Sequence, residues 1–253
     1  MRDAILPAGG TISGEFAKEA GTQVKALVKI GGITLLERAV RALQRSEQIE
    51  KIVVIGDESV REEANRLGVS EVLSPGETAP DNIFRGLDWL QKHSKNPQVL
   101  VVTTDLPAIT GEMITRFLEL CPPSAEVALP IMTQTEYEAR FLNAPGEYVP
   151  LSGDFYTIGS VALLDADVLR RNRVHIEKVF EARKSQLGLA RLLGVEFVIK
   201  FLLKKLTVQD IEARCRKLLR CEGAAVPHSP SELALDIDTL EDYRYALSLE
   251  ANT

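Results

Sequence analysis

The sequence predicts an α/β fold: a three-layer α/β/α arrangement on a mostly parallel sheet. Three observations carry that prediction. Short β-branched runs alternate with longer helical patterns through the first half of the 253 residues. The runs are apolar almost throughout, as strands covered on both faces are. No Ser/Gly/Pro-rich linker divides the chain, so a single domain over 1–253 is expected, with a helical insertion at 165–222.

The elements follow in order. Asp3-Ala-Ile-Leu6, Lys51–Ile55 and Gln98–Thr103 read as buried strands, and Ala125–Leu129 as a weaker one. Between them, Leu35–Arg45, Val60–Leu67, Asn82–Lys92 and Glu112–Leu120 place apolar residues at helical spacing. In the second half, Tyr148–Leu164 suggests two strands around Ser152-Gly-Asp154, suited to antiparallel pairing. Residues Asp165–Leu219 are mainly helical, with breaks at Gly188 and Gly194. Within them, Val195–Leu206 predicts a helix with one polar stripe, Glu196, Lys200 and Lys204, and eight apolar residues among its twelve. So wide an apolar surface needs cover from its own domain, from a second subunit, or both, and the expectation leans to a homodimer through 195–206. A last strand near Leu235-Asp-Ile237 leads into a helix capped by Thr239.

Charge excludes some functions. Thirty basic against 36 acidic residues give a net charge of −6, so no basic field grips a nucleic-acid backbone. The longest apolar stretch, Leu192–Leu203, is broken by Glu196 and Lys200 and is too short for a hydrocarbon core of about 30 Å. The first residues, Met-Arg-Asp-Ala, carry no secretory apolar region, and a cytoplasmic location is expected. Cys121, Cys215 and Cys221 form no disulfide framework and match no usual zinc spacing. His93, His175 and His228 are isolated along the sequence.

Chemistry concentrates at three places. Strand one runs into Leu6-Pro-Ala-Gly-Gly-Thr11, where glycines after a first strand either make a plain turn or aim backbone N–H groups at phosphate. Neither a P-loop nor a dinucleotide fingerprint is present. Lys25 follows this loop and is either a solvated surface charge or a group that folds back onto the same phosphates. Asp105 stands just past the carboxyl end of a central strand, where open α/β sheets bind ligands. It is either an Mg²⁺ ligand or a helix cap, and Thr110 competes for the cap. Asp236-Ile-Asp238 puts two carboxylates on one face of an extended stretch, where they repel unless a cation lies between them.

Taken together, Leu6-Pro-Ala-Gly-Gly, Lys25-Ala-Leu, Gly31-Gly-Ile-Thr-Leu-Leu-Glu-Arg38, Thr104-Asp-Leu-Pro and Asp236-Ile-Asp-Thr-Leu-Glu-Asp242 resemble the MobA-like NTP transferases in order and approximate spacing. The resemblance covers residues 3–130 and about 235–247, and covers 131–234 poorly. It implies a GT-A-like, Rossmannoid fold and an Mg²⁺-dependent nucleotidyltransferase. Such an enzyme moves a nucleoside monophosphate from an NTP to a small anionic acceptor and releases pyrophosphate. It also implies roles: Leu6, Ala8, Gly9 and Gly10 with the nucleotide, Lys25 on phosphate, Asn82 near the base, and Asp105 and Asp238 on Mg²⁺. Catalysis would then rest on Lys25 and Asp105. The chain departs from the family at the arginine that usually follows the glycines: none occurs between Arg2 and Arg38. Glu15 and Lys18 stand in that loop instead. A nucleotide-binding module without turnover is therefore the alternative, and a nucleotide-sugar glycosyltransferase a more distant one.

Overall fold

The computed structural model describes residues 1–151, 153–182 and 194–251. Strand β1 (Arg2–Pro7) runs parallel between β4 (Ile49–Ile55) and β6 (Gln98–Val102), and β5 (Glu71–Leu73) adds parallel to β4. On the other side of β6 the order continues through β10 (Val161–Asp165), β7 (Val127–Thr133), β9 (Asp154–Ile158) and β8 (Val149–Leu151), with β11 (Gly223–Val226) parallel to β7. Only β9 and β10 run against the other strands of this nine-stranded sheet. The remaining pair, β2 (Lys29–Ile30) and β3 (Ile33–Thr34), forms a separate hairpin. Its turn, Gly31-Gly32, needs positive φ at both residues (60° and 81°), which glycine adopts freely.

The apolar strands bury both faces. Ala4 and Leu6 of β1 face helices α2 (Leu35–Arg45), α3 (Glu58–Arg66) and α5 (Gly111–Leu120), while Ile5 faces α4 (Ala79–His93) with Phe84, Leu87 and Leu90. This period-two division produces the three layers. Each helix starts on a residue whose side chain accepts from the first turn: Thr34, Asp57, Thr78 and Thr110.

The second half fits the sequence less closely. The Tyr148–Leu164 region does contain the antiparallel pair β8–β9. The strand expected near Leu235–Ile237 is absent: a 3₁₀ turn at Ser231–Leu233 leads into irregular chain. Leu235 and Ile237 are buried as alternate strand residues would be, but in two different clusters. The Ile237 N–H goes to a single loop carbonyl, so no ladder forms. The helix expected over Val195–Leu206 stops at Leu202. Lys204 takes the left-handed conformation (φ 54°) and the Lys205 N–H returns 2.8 Å to the Lys200 carbonyl, a Schellman ending. The chain then turns into the helix Val208–Leu219, capped by Thr207. Of the polar stripe, Lys200 pairs with Glu196 at 3.5 Å and Asp210 at 2.8 Å. Ile199, Phe201, Leu202 and Leu203 remain exposed. The break expected at Gly188 lies outside the described residues, and Gly194 precedes the Val195–Leu202 helix. Among the described residues no helix is long and apolar enough to cross a membrane.

Candidate active site

At the carboxyl end of β1 the chain turns through Ala8, Gly9 and Gly10. Leu6 and Ala8 are core residues, 0% and 1% exposed, and the Ala8 N–H donates to Ile55 at 2.7 Å. Their side chains fix the turn and do not enter the site. Gly9 and Gly10 are exposed, and neither has positive φ. A Cβ on Gly10 would make only ordinary contact with Lys25, and one on Gly9 with Pro75 at 3.7 Å. The chain's own packing has room for a Cβ at both positions, and their exposed backbone is open to close approach by a ligand.

The loop closes on itself. Lys25 N–H donates to the Gly10 carbonyl at 2.9 Å, Thr11 bridges to Val24, and Ile12 N–H donates to Gln23 at 2.9 Å. This short antiparallel ladder sets Lys25 opposite Gly10. The intervening residues form a helix, α1 (Gly14–Ala20), whose Phe16 packs on Tyr243 with ring centres 5.4 Å apart. Arg244 pairs with Glu19 at 2.7 Å and reaches Glu15 at 3.8 Å, so the acidic charge of this segment is partly answered. Lys18 is exposed on the same helix.

Asp105 follows β6. Thr104 anchors it, with its hydroxyl donating to the Pro7 carbonyl at 3.2 Å. Thr110 caps α5 (3.4 Å to the Met113 N–H), so Asp105 is not needed as a cap. Its Oδ2 accepts from Lys25 Nζ at 2.6 Å, and its Oδ1 is buried with no hydrogen-bond partner. Asp238 Oδ1 accepts from the same ammonium. Lys25 thus joins two carboxylates that are far apart in sequence. Burial pulls the Lys25 pKa down, but the charges and hydrogen bonds of Asp105 and Asp238 outweigh it and hold the pKa above the usual lysine value.

Asp236 lies beside this pair, although the resemblance implies only Asp105 and Asp238 as metal ligands. Ile237 is fully buried among Ile12, Val28, Leu35 and Tyr243, which pins the two flanking aspartates beside the loop. Burial, aided by the Asp105 and Asp238 charges, pushes the Asp236 carboxyl up to about 6, against a hydrogen bond from Ser160 Oγ at 3.0 Å. Ser160 sits where the β9–β10 register along β7 shifts by two residues, a feature that no local sequence signal marks. Arg38 is a second residue that sequence reasoning missed. Its guanidinium donates to Ile30 O (2.7 Å), to Pro107 O (3.1 Å) and to Glu250 (2.8 Å), tying the β2–β3 hairpin and the C-terminal helix to the Asp105 loop.

Asn82 stands apart from this cluster. Its Oδ1 accepts from Gly76 N–H at 2.6 Å and shapes the 74–78 loop, whose Pro75 lies against Gly9. On the Asp238 side opens a cleft of about 470 Å³, bordered by Tyr137, Gly146, Tyr156 and the acidic Asp236–Asp242 turn.

Three carboxylates answered by one ammonium leave surplus negative charge, and one hard oxygen, Asp105 Oδ1, lacks a partner. Both features fit a divalent cation. Among the described residues no set of three His, Cys, Asp or Glu side chains is arranged as a metal cage; an ion held here would have Asp105 and Asp238 as its protein ligands, with phosphate and water beside them. That count suits Mg²⁺.

An exposed glycine turn, a lysine and paired aspartates at the carboxyl edge of a mostly parallel sheet define an α/β protein built to handle a phosphorylated ligand. The chain belongs to the MobA-like NTP transferase domain family, whose model matches residues 5–184, and is thereby an enzyme of the nucleotidyltransferase class. Similar solved structures share the fold. A hypothetical transferase from Thermus thermophilus is 29% identical, with a TM-score of 0.82 over 96% of this chain and 99% of the other. A 2-C-methyl-D-erythritol 4-phosphate cytidylyltransferase from the same organism is 19% identical (TM-score 0.55, 99% and 100% covered). A CMP:2-keto-3-deoxy-manno-octonic acid synthetase, solved with CTP, is 13% identical (TM-score 0.60, 99% and 98% covered). No curated protein matches the sequence.

Proposed function

We propose that this chain transfers a nucleoside monophosphate from an NTP to a small acceptor, with Mg²⁺, and releases pyrophosphate. The single observation that carries the reading is the Lys25 ammonium held between Asp105 and Asp238 beside the exposed Gly9-Gly10 turn. The solved relative bound to CTP supports a nucleotide as donor.

In this reading Gly9 and Gly10 receive the triphosphate against their backbone, and the Asn82-braced 74–78 loop borders the base. Lys25 neutralises phosphate oxygens, so that an acceptor oxygen can attack the α-phosphorus. The new oxygen–phosphorus bond forms as the bond to the β-phosphate oxygen breaks, and the leaving group is pyrophosphate. Little covalent chemistry falls to the protein; positioning and neutralisation are its contribution. Mg²⁺ held by Asp105 and Asp238 would supply further charge neutralisation and order the phosphates.

The acceptor enters from the cleft beside Asp236 and Asp238. The described lining of that cleft includes Glu147, Asp236, Asp238, Glu241 and Asp242 and contains no Lys or Arg. It therefore suits an acceptor with one anionic group, docked at the Lys25 and metal end, and with the remainder neutral or cationic. The test is pyrophosphate release with each of the four common NTPs, Mg²⁺ and a panel of monophosphorylated acceptors. Release with one NTP and one acceptor supports the proposal; calorimetry showing no Mg²⁺-dependent binding of any NTP overturns it.

A further inference from the structure

We propose that Lys25 is an internal counter-ion that keeps free divalent metal out of the aspartate cluster and gives up its place when phosphate draws its ammonium away. The inference rests on the nucleotidyl-transfer reading for the identity of the phosphate ligand, and on the geometry of this chain for everything else. Its consequence is that metal and nucleotide enter this site together, each weakly without the other.

The ammonium sits on both carboxylates a metal would use, taking one oxygen of each and leaving the buried Asp105 Oδ1 open. Nζ bonds Asp105 Oδ2 at 2.6 Å and also bonds Asp238 Oδ1, and the lysine side chain is only 14% exposed. Mg²⁺ binds carboxylate oxygen at about 2.0–2.1 Å. A divalent ion and an ammonium on the same two carboxylates would be near neighbours with like charge, so each disfavours the other.

The ammonium has a second destination within reach. The Lys25 backbone is fixed by its N–H bond to Gly10, and the Cβ and Cδ of its stem lie alongside that glycine, each 3.5 Å from where a Gly10 Cβ would stand. The stem thus already runs along the turn proposed to receive the triphosphate. Rotation about its outer bonds moves the charge from the carboxylates to the phosphates with no backbone movement, because lysine is a point charge on a flexible chain. Once the ammonium leaves, the charges of Asp105 and Asp238 act on each other and on Asp236 with no cation among them. Asp236 Oδ2 accepts from the Ser160 hydroxyl at 3.0 Å, and no described cation pairs with it. Three carboxylates with no cation repel strongly, and the same step that removes the lysine creates the demand for metal.

The test uses one substitution whose two effects have opposite sign. Lys25→Met keeps the length of the stem and removes the charge. Mn²⁺ is titrated into nucleotide-free wild type and variant, with free Mn²⁺ read by electron paramagnetic resonance. Inorganic tripolyphosphate is titrated calorimetrically without metal. The variant is expected to bind Mn²⁺ about tenfold more tightly than wild type and tripolyphosphate about tenfold more weakly. A lysine that served only to support the fold would weaken both. Lys25→Gln is the second variant should Lys25→Met unfold, and Asp238→Asn, expected to weaken Mn²⁺ binding, shows that the metal sits in this cluster. Equal or weaker Mn²⁺ binding in a folded Lys25 variant overturns the inference. The metal arm contains no nucleotide, so its failure is separate from failure of the pyrophosphate-release assay.

Discussion

The backbone N–H of Ile237 donates to the carbonyl oxygen of Asp105 at 3.1 Å. This one hydrogen bond joins the turn before the C-terminal helix to the loop after β6, and so sets Asp238 within reach of the same lysine as Asp105. Ile237 is fully buried, so packing of its side chain helps to hold Asp236 and Asp238 in place beside their own hydrogen bonds.

Asp105→Asn should preserve the fold, because Thr110 caps α5, and should abolish Mg²⁺-dependent NTP binding. Calorimetric titration of NTP with and without Mg²⁺ into wild type and variant decides this. Equal metal-dependent affinity in the two proteins would remove Asp105 from the metal site.

Lys25→Ala removes a charge-assisted phosphate contact worth about 1.5–3 kcal/mol, a loss of roughly 10- to 150-fold in NTP affinity. Lys18→Ala should cost far less, since Lys18 is exposed on a helix whose buried residue, Phe16, packs on Tyr243. The two affinities measured side by side are the check. A larger loss from Lys18 would mean that α1 closes over the phosphates in place of the missing loop arginine.

Asp236→Asn should raise the melting temperature of the protein in chelator at pH 7. The Asp236 carboxyl titrates near 6 when folded, above its ordinary value of 3.8, so the folded state binds more protons between these limits. Stability therefore falls as pH rises through that window, and the penalty is fully present at pH 7. The advantage of the asparagine should shrink on acidification and vanish below about pH 4. Thermal melts from pH 3.5 to 7.5 test the sign; an advantage that grows at low pH contradicts it.

Arg38→Ala should destabilise the fold by about 2–3 kcal/mol, since it leaves two carbonyls without their charged donor. Glu250→Gln at the exposed end of the same contact should cost less than about 1 kcal/mol. Urea denaturation of both variants measures the difference. Similar costs would show that the guanidinium does not bind the hairpin to the Asp105 loop.

Phe201→Glu addresses the homodimer expected through residues 195–206. The ring is 41% exposed beside Leu202 and Leu203, so the substitution should leave the monomer folded. Light scattering should then give a dimer mass for wild type and a monomer mass for the variant. A monomeric wild type would remove this face as a subunit contact.

Sequence alone determined the three-layer architecture, because strands covered on both faces must be apolar throughout and the intervening helices must carry one apolar side; β1, β4, β6 and α2 fall where those patterns lie. It also marked Gly9, Gly10, Lys25, Asp105 and Asp238 as candidates, each with a structural alternative, because their order along the chain resembles one family. Tertiary structure decided the rest. Leu235 and Ile237 alternate like a strand, yet whether an alternating stretch pairs depends on a neighbour with free N–H and C=O groups, and here the only bond offered to Ile237 is the Asp105 carbonyl. Lys204 ends a helix that periodicity would extend, because the capped helix at Thr207 requires the chain to reverse. Ser160 and Asp236 meet across a register shift in the sheet, and Arg38 bridges three segments that are neighbours only once folded. Periodicity reports which face of a segment is buried; which distant side chains then share that space, and so shift one another's charge, is settled only when the sheet is assembled.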